Sequence, residues 1–260
     1  MVEGLGLFKD HFKDHTDQYI LIGGSACDWQ LEQKGFDFRA TKDLDIILVV
    51  EALSADFVRR FWQFIQQGAY TIAQIGEQKK FYRFIQPKAI GYPKMLELFS
   101  RKPDLIATVP DMHLTPIPTE DDVSSLSAIL LDDTYYYFTV SNSTITDGLH
   151  HATEPALICL KAKAFLNNAA RKSAGQIVRQ DDIDKHKRDV IRVTAALTPG
   201  EAIETPSSIK ADLLKYVGII RVEKPDIRQI LRTNVTLEQI MELIVKTFGL
   251  ESQNPSAYLN

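Results

Sequence analysis

Tyr19-Ile20-Leu21-Ile22-Gly23-Gly24-Ser25 and, further on, Asp43-Leu44-Asp45-Ile46-Ile47-Leu48-Val49-Val50 decide how this chain is read. An apolar run that ends directly in two glycines marks a buried strand followed by a sharp turn. A helix is predicted next, over about residues 25–33, with Gly35 as its stop. The second run is apolar at consecutive positions, so it reads as a strand covered on both faces and central to a sheet. Side chains alternate along a strand. Asp43 and Asp45 therefore share one face, while Leu44 and Ile46 point into the core.

Two carboxylates side by side repel each other and tolerate the arrangement when a cation sits between them. Oxygen donors alone suit Mg²⁺, which takes carboxylates together with substrate phosphates and retained water; Mn²⁺ is the alternative ion. Two ions are expected, one activating an attacking hydroxyl and the other steadying a leaving pyrophosphate. Such a site wants a third acid from a neighbouring strand. Glu97, within Met95-Leu96-Glu97-Leu98-Phe99, is the candidate, because a charge in an apolar strand needs a reason. It would be a metal ligand or the base that takes the acceptor's proton; an edge-strand acid facing water is the other reading. Gly23 and Gly24 let the backbone pass close to a ligand, the helix that follows offers free N–H groups to phosphate oxygens, and Ser25 adds a hydroxyl donor. Gly-Gly-Ser alone is often a plain turn and Asp-x-Asp alone a plain strand edge. Their order, spacing and strand context together point to an enzyme that binds a nucleoside triphosphate and transfers a nucleotidyl group.

Gly23-Gly24-Ser25 followed by Thr41-Lys42-Asp43-Leu44-Asp45 resembles the signature of the DNA polymerase β-like nucleotidyltransferase superfamily, over about residues 15–100. The resemblance implies Asp43 and Asp45 as metal ligands and the Gly-Gly-Ser turn as a triphosphate contact.

Beyond about residue 148 the pattern turns helical. A helix from Glu154-Pro155 runs to about residue 170, with Lys161 inside its apolar stripe and Lys163 on the polar side. A lysine there must snorkel out or meet an anion. A second helix covers about residues 181–197. His186 lies within its stripe and reads as a satisfied core residue, while Asp189 lies at the edge, in the charge run Asp181 to Asp189. Further helices are predicted over residues 207–217 and 236–248. A lysine in a helix after the sheet, then Lys185-His186-Lys187-Arg188-Asp189-Val190, is similar to the AbiEii/AbiGii group of nucleotidyltransferase toxins of type IV toxin–antitoxin systems. That resemblance spans roughly residues 15–195. It implies Lys161 as a nucleotide-phosphate contact and Asp189 as a catalytic base or a partner to Lys161. It also favours RNA, tRNA in particular, as acceptor over protein, and makes an antitoxin a possible partner.

The expected architecture is α+β: a mixed nucleotidyltransferase sheet flanked by helices over residues 1–147, then a helical domain over residues 148–260 that completes the cleft. Thr134 to Val140 reads as a β-rich run. The net charge of −4 gives no bulk basic signature for nucleic acid, so any RNA contact would rest on local groups such as Arg59-Arg60, Lys79-Lys80, Arg171-Lys172 and Lys185 to Arg188. Cys27 and Cys159 sit in apolar contexts outside any ligand cluster and read as buried core in a reducing cytoplasm. The N-terminus lacks signal-peptide character and no apolar stretch is long enough to span a membrane. Two rivals stand beside the leading reading. One is a small-molecule, antibiotic-type nucleotidyltransferase whose cationic substrate would meet Glu120, Asp121, Asp122, Asp132 and Asp133. The other is a non-catalytic nucleotide sensor that holds a partner.

Overall fold

The computed structural model describes residues 2–39, 41–49, 51–73, 81–99, 129–130 and 132–250. The fold is α+β, and the chain divides into two compact units, Met1–Leu157 and Ile158–Asn260. In chain order the first unit holds α1 (Leu5–His11), β1 (Tyr19–Ile22), α2 (Gly23–Gln33), β2 (Asp43–Leu48), α3 (Ala55–Gly68), β3 (Thr71–Ala73), β4 (Phe81–Ile85), β5 (Met95–Phe99), α4 (Asp133–Ser141), β6 (Ser143–Thr146) and β7 (Leu149–Ala152). The division falls inside α5 (Glu154–Ser173), and α6 (Gln180–Ala195), α7 (Ser207–Glu223), α8 (Ile227–Leu231) and α9 (Leu237–Thr247) follow.

The described strands form one mixed sheet in the order β3-β4-β5-β2-β1-β7-β6. β2 is central, as its continuous apolar run predicts, antiparallel to β1 and parallel to β5. Register sorts the side chains into two faces. Leu21 pairs with Ile46 and Ile46 with Leu98, while Leu44 pairs with Leu96 and Leu96 with Phe84. All of these are buried, with Tyr19 and Leu48 beside them. Aromatic side chains of α1 and α3 pack on this face. The Phe8 ring meets Tyr19 edge-on at 5.2 Å, and Phe61 meets Phe84 at 5.5 Å, the edge-to-face geometry that ring quadrupoles favour. The Ser54 hydroxyl caps α3 by accepting from Phe57 N at 3.1 Å, and the Gln18 carboxamide oxygen accepts from both Ser54 N and Ser54 Oγ, at 2.8 and 2.9 Å. Such a cap is worth about 1 kcal/mol, and here it also ties α3 to the entry of β1.

Three elements depart from the expected pattern. Residues 134–140 are helical, not extended. The Asp132 carboxylate accepts from Thr134 N at 2.8 Å and from Tyr135 N at 3.4 Å, and Tyr135, Tyr136, Phe138 and Thr139 are buried at helical spacing. Capping and burial together outweigh the β propensity of Tyr, Phe, Val and Thr. The helix after the glycines starts at Gly23, two residues before the expected Ser25. The sheet also continues past residue 147. β7 lies parallel to β1, with Leu21 opposite His151. Its polar pair His150-His151 hides the strand in the sequence, yet His151 is buried, with Nδ1 3.0 Å from Gln30 Nε2 and 3.3 Å from the Ala152 carbonyl oxygen, and Nε2 2.7 Å from Thr146 Oγ1. Burial pushes the His151 pKa down, which favours the neutral ring.

In the second unit the Phe165 ring meets Tyr216 edge-on at 5.4 Å, and the Tyr216 hydroxyl donates to the Lys187 carbonyl at 3.0 Å. Lys163, read as polar-side, pairs with Asp212 at 2.7 Å. α9 carries a full capping box between Thr236 and Gln239. Both cysteines are buried, and burial holds Cys159 well above the usual thiol range. No helix among the described residues is long and apolar enough to cross a membrane.

Candidate functional site

The second face of the sheet carries charge across its middle. In one register row, Ile22 of β1 lies opposite Asp45 of β2, Asp45 opposite Glu97 of β5, and Glu97 opposite Arg83 of β4. Paired residues on adjacent strands project to the same side, so Asp45, Glu97 and Arg83 stand side by side. Asp43 shares their face one pleat along β2, and both aspartates are partly exposed. The alternation that buries Leu44 and Ile46 is what brings the two acids to one surface.

The glycine turn closes on this row. Gly23 has φ +68°, and a Cβ added there would lie 1.8 Å from Asp45 Oδ2. The backbone thus comes as near the Asp45 carboxylate as a residue without a side chain allows. A Cβ on Gly24 would lie 2.9 Å from Thr41 Oγ1 and 3.4 Å from Arg39 Nη2. Both glycines are therefore fixed by what faces them. Gly23→Ala adds left-handed strain of roughly 1–2 kcal/mol to an overpacking penalty of roughly 1–3 kcal/mol. Urea denaturation is expected to show a loss within the sum of those ranges; an unchanged midpoint would mean that the turn does not press on Asp45. Ser25 is fully buried and its Oγ donates to the Ile22 carbonyl at 3.2 Å. Its hydroxyl braces the turn from inside, which leaves the backbone N–H as the group residue 25 can offer a phosphate.

Glu97 is buried and answers to Arg83. The guanidinium reaches Glu97 Oε1 through Nε at 2.7 Å and Nη2 at 2.5 Å. The charge in the apolar strand thus has a reason, and it is an arginine. Arg83 was not singled out from the sequence, although an arginine in the apolar strand Phe81–Ile85 raises the same question as Glu97 does. Among the described residues no trio of His, Cys, Asp or Glu side chains is arranged to hold a metal ion. The donor set on this face fits an ion that takes two carboxylates and draws its remaining ligands from substrate phosphates and water, as Mg²⁺ does.

Lys161 and Asp189 belong to the second unit and are partners there. Nζ and Oδ2 are 2.9 Å apart, both side chains are buried, and Arg192 Nη1 lies 3.7 Å from Asp189 Oδ1. The lysine on the apolar stripe meets its anion inside the protein, and Asp189 is placed as that partner. His186 is buried on α6, one turn before Asp189. Several of the basic groups considered for RNA are engaged with neighbours: Arg59 with Asp56, Arg171 with Gln176, Lys172 with Gln180, and Lys187 with Asp184 and Glu223. Asp132 is committed to capping α4. Lys79-Lys80, Glu120, Asp121 and Asp122 lie outside the described residues. No family model and no curated protein sequence matches this chain.

Proposed function

We propose that the chain is a Mg²⁺-dependent nucleotidyltransferase that moves a nucleoside monophosphate from a nucleoside triphosphate to an acceptor hydroxyl. It would be a member of the DNA polymerase β-like superfamily, nearest in kind to the AbiEii/AbiGii toxins. The observation that carries this reading is the contact of the Gly23 turn with Asp45, on a strand face that Asp43 shares. It brings the turn that starts α2, where backbone N–H groups can meet a phosphate, beside two acids that can carry a divalent ion.

In this reading Asp43 and Asp45 hold the metal, and Gly23, Gly24 and the N–H of Ser25 take the triphosphate. Bound there, Mg²⁺ supplies charge neutralisation along the triphosphate and polarisation of the attacking hydroxyl. The acceptor oxygen bonds to the α-phosphorus, the bond from that phosphorus to the β-phosphate bridge breaks, pyrophosphate leaves, and the hydroxyl proton passes to solvent. Positioning and charge stabilisation do most of the work in such a displacement. The Arg83–Glu97 pair flanks Asp45 and fixes the charge beside it, so Glu97 acts here as a positioning residue. Lys161 and Asp189 hold the helical unit together. RNA is the favoured acceptor class, and an antitoxin partner belongs to the same reading.

The test is incubation with each α-labelled nucleoside triphosphate, Mg²⁺ and either total RNA or cell lysate. The expected result is label on a macromolecule that disappears with EDTA and is released by nuclease. Protease-sensitive label would move the acceptor to protein. No labelled product with any of the four nucleotides would favour a non-catalytic nucleotide sensor.

A further inference from the structure

Beside the acids lies a second, oppositely charged group on the same turn. Arg39 and Thr41 precede Asp43 and Asp45 at alternate positions of the segment entering β2. The two glycines sort them. Gly23 faces the Asp45 carboxylate, while Gly24 faces the Thr41 hydroxyl and the Arg39 guanidinium. Arg39 is only partly buried, and its guanidinium carbon lies 5.2 Å from the centre of the Phe38 ring, a cation–π contact that helps hold it in place.

From this juxtaposition we infer that Arg39, with Thr41, is the binding residue for the terminal phosphates of the nucleoside triphosphate. This rests on the proposed nucleotidyltransferase reading. A triphosphate laid along the turn meets two chemistries: acids that carry a cation at one glycine, and a planar cationic fork with a hydroxyl at the next. A guanidinium matches the oxygens of a phosphate pair in a way that an ammonium does not. When the bond to the α-phosphorus breaks, its electron pair stays on the leaving pyrophosphate, and a fixed positive group there stabilises the charge that develops. The consequence is selectivity: the site takes a triphosphate in preference to the corresponding monophosphate, and Arg39 is the reason.

The experiment is isothermal titration calorimetry with Ca²⁺ replacing Mg²⁺, titrating ATP, GTP, CTP and UTP and their monophosphates into the wild type, Arg39→Gln, Arg39→Lys and Thr41→Val. Circular dichroism confirms that each variant is folded. Arg39→Gln is expected to weaken binding of the preferred triphosphate about 10–100-fold, the worth of a charge-assisted contact, and to leave the monophosphate within about twofold. Arg39→Lys should recover part of the loss, and Thr41→Val should lose less than Arg39→Gln. Equal triphosphate affinity in Arg39→Gln and wild type would overturn the inference and leave the nucleotidyltransferase reading standing. A loss of triphosphate and monophosphate binding alike would also overturn it, because Arg39 would then shape the turn rather than hold phosphate. A wild type that binds no nucleotide would overturn both.

Discussion

Asp45→Asn is expected to lower labelled nucleotidyl transfer by about 10²–10³-fold or more, in the range that follows removal of a preorganised electrostatic group from a reaction centre. Asparagine keeps the shape that Gly23 packs against and removes only the negative charge. The β1–turn–β2 geometry should therefore survive while the cation loses a ligand. Stability should change little, because Asp43, Asp45 and Glu97 gather negative charge on one face and Asp45→Asn relieves part of that repulsion. Sites held for function commonly forgo some stability in this way. Asp43→Asn should act in the same direction. Transfer rates and a urea midpoint measured on the same preparation separate the two effects. Loss of transfer together with loss of fold would assign Asp45 a structural role instead.

Asp189→Ala is expected to destabilise the helical unit by about 3–5 kcal/mol, because it strands the Lys161 ammonium in a buried setting. Lys161 is 1 % exposed and Asp189 0 %, so water cannot take over the solvation that the carboxylate provides. At about 2–4 °C per kcal/mol for a chain of this size, the melting temperature should fall by roughly 6–20 °C. Replacing both partners with apolar residues, Lys161→Met with Asp189→Leu, should recover most of that loss, since it removes the buried charges together. If the single variant melts with the wild type, the pair is not buried in solution.

Much of this was legible in the chain. The β1–turn–β2 core of the site follows from an apolar run, two glycines and alternating acids, because strand geometry forces Asp43 and Asp45 to one side whatever the rest of the fold does. Lys161 stood out as a charge on an apolar stripe, and the structure pairs it with Asp189. Other features depend on register or tertiary packing and left no local trace. Glu97 is in line with Asp45 as a third acid should be, yet its arginine could be found only once β4 was aligned with β5. α4 carries strand-forming side chains, and only the Asp132 cap together with burial of one helical face shows it to be a helix. β7 is a short, histidine-bearing strand pressed directly against a helix start, so its neighbour's proline dominated the reading. Ser25 illustrates a further limit: a hydroxyl at a helix start can point inward as readily as outward, and here it braces Ile22.

The claim at the centre is that Asp43 and Asp45 hold a divalent ion against a turn that grips a triphosphate. Electron paramagnetic resonance of Mn²⁺, titrated into the protein with a non-hydrolysable nucleoside triphosphate, reads that directly. Tight Mn²⁺ binding that requires the nucleotide and is lost in both Asp43→Asn and Asp45→Asn is the predicted result. Mn²⁺ bound with equal affinity by the wild type and both variants would contradict it.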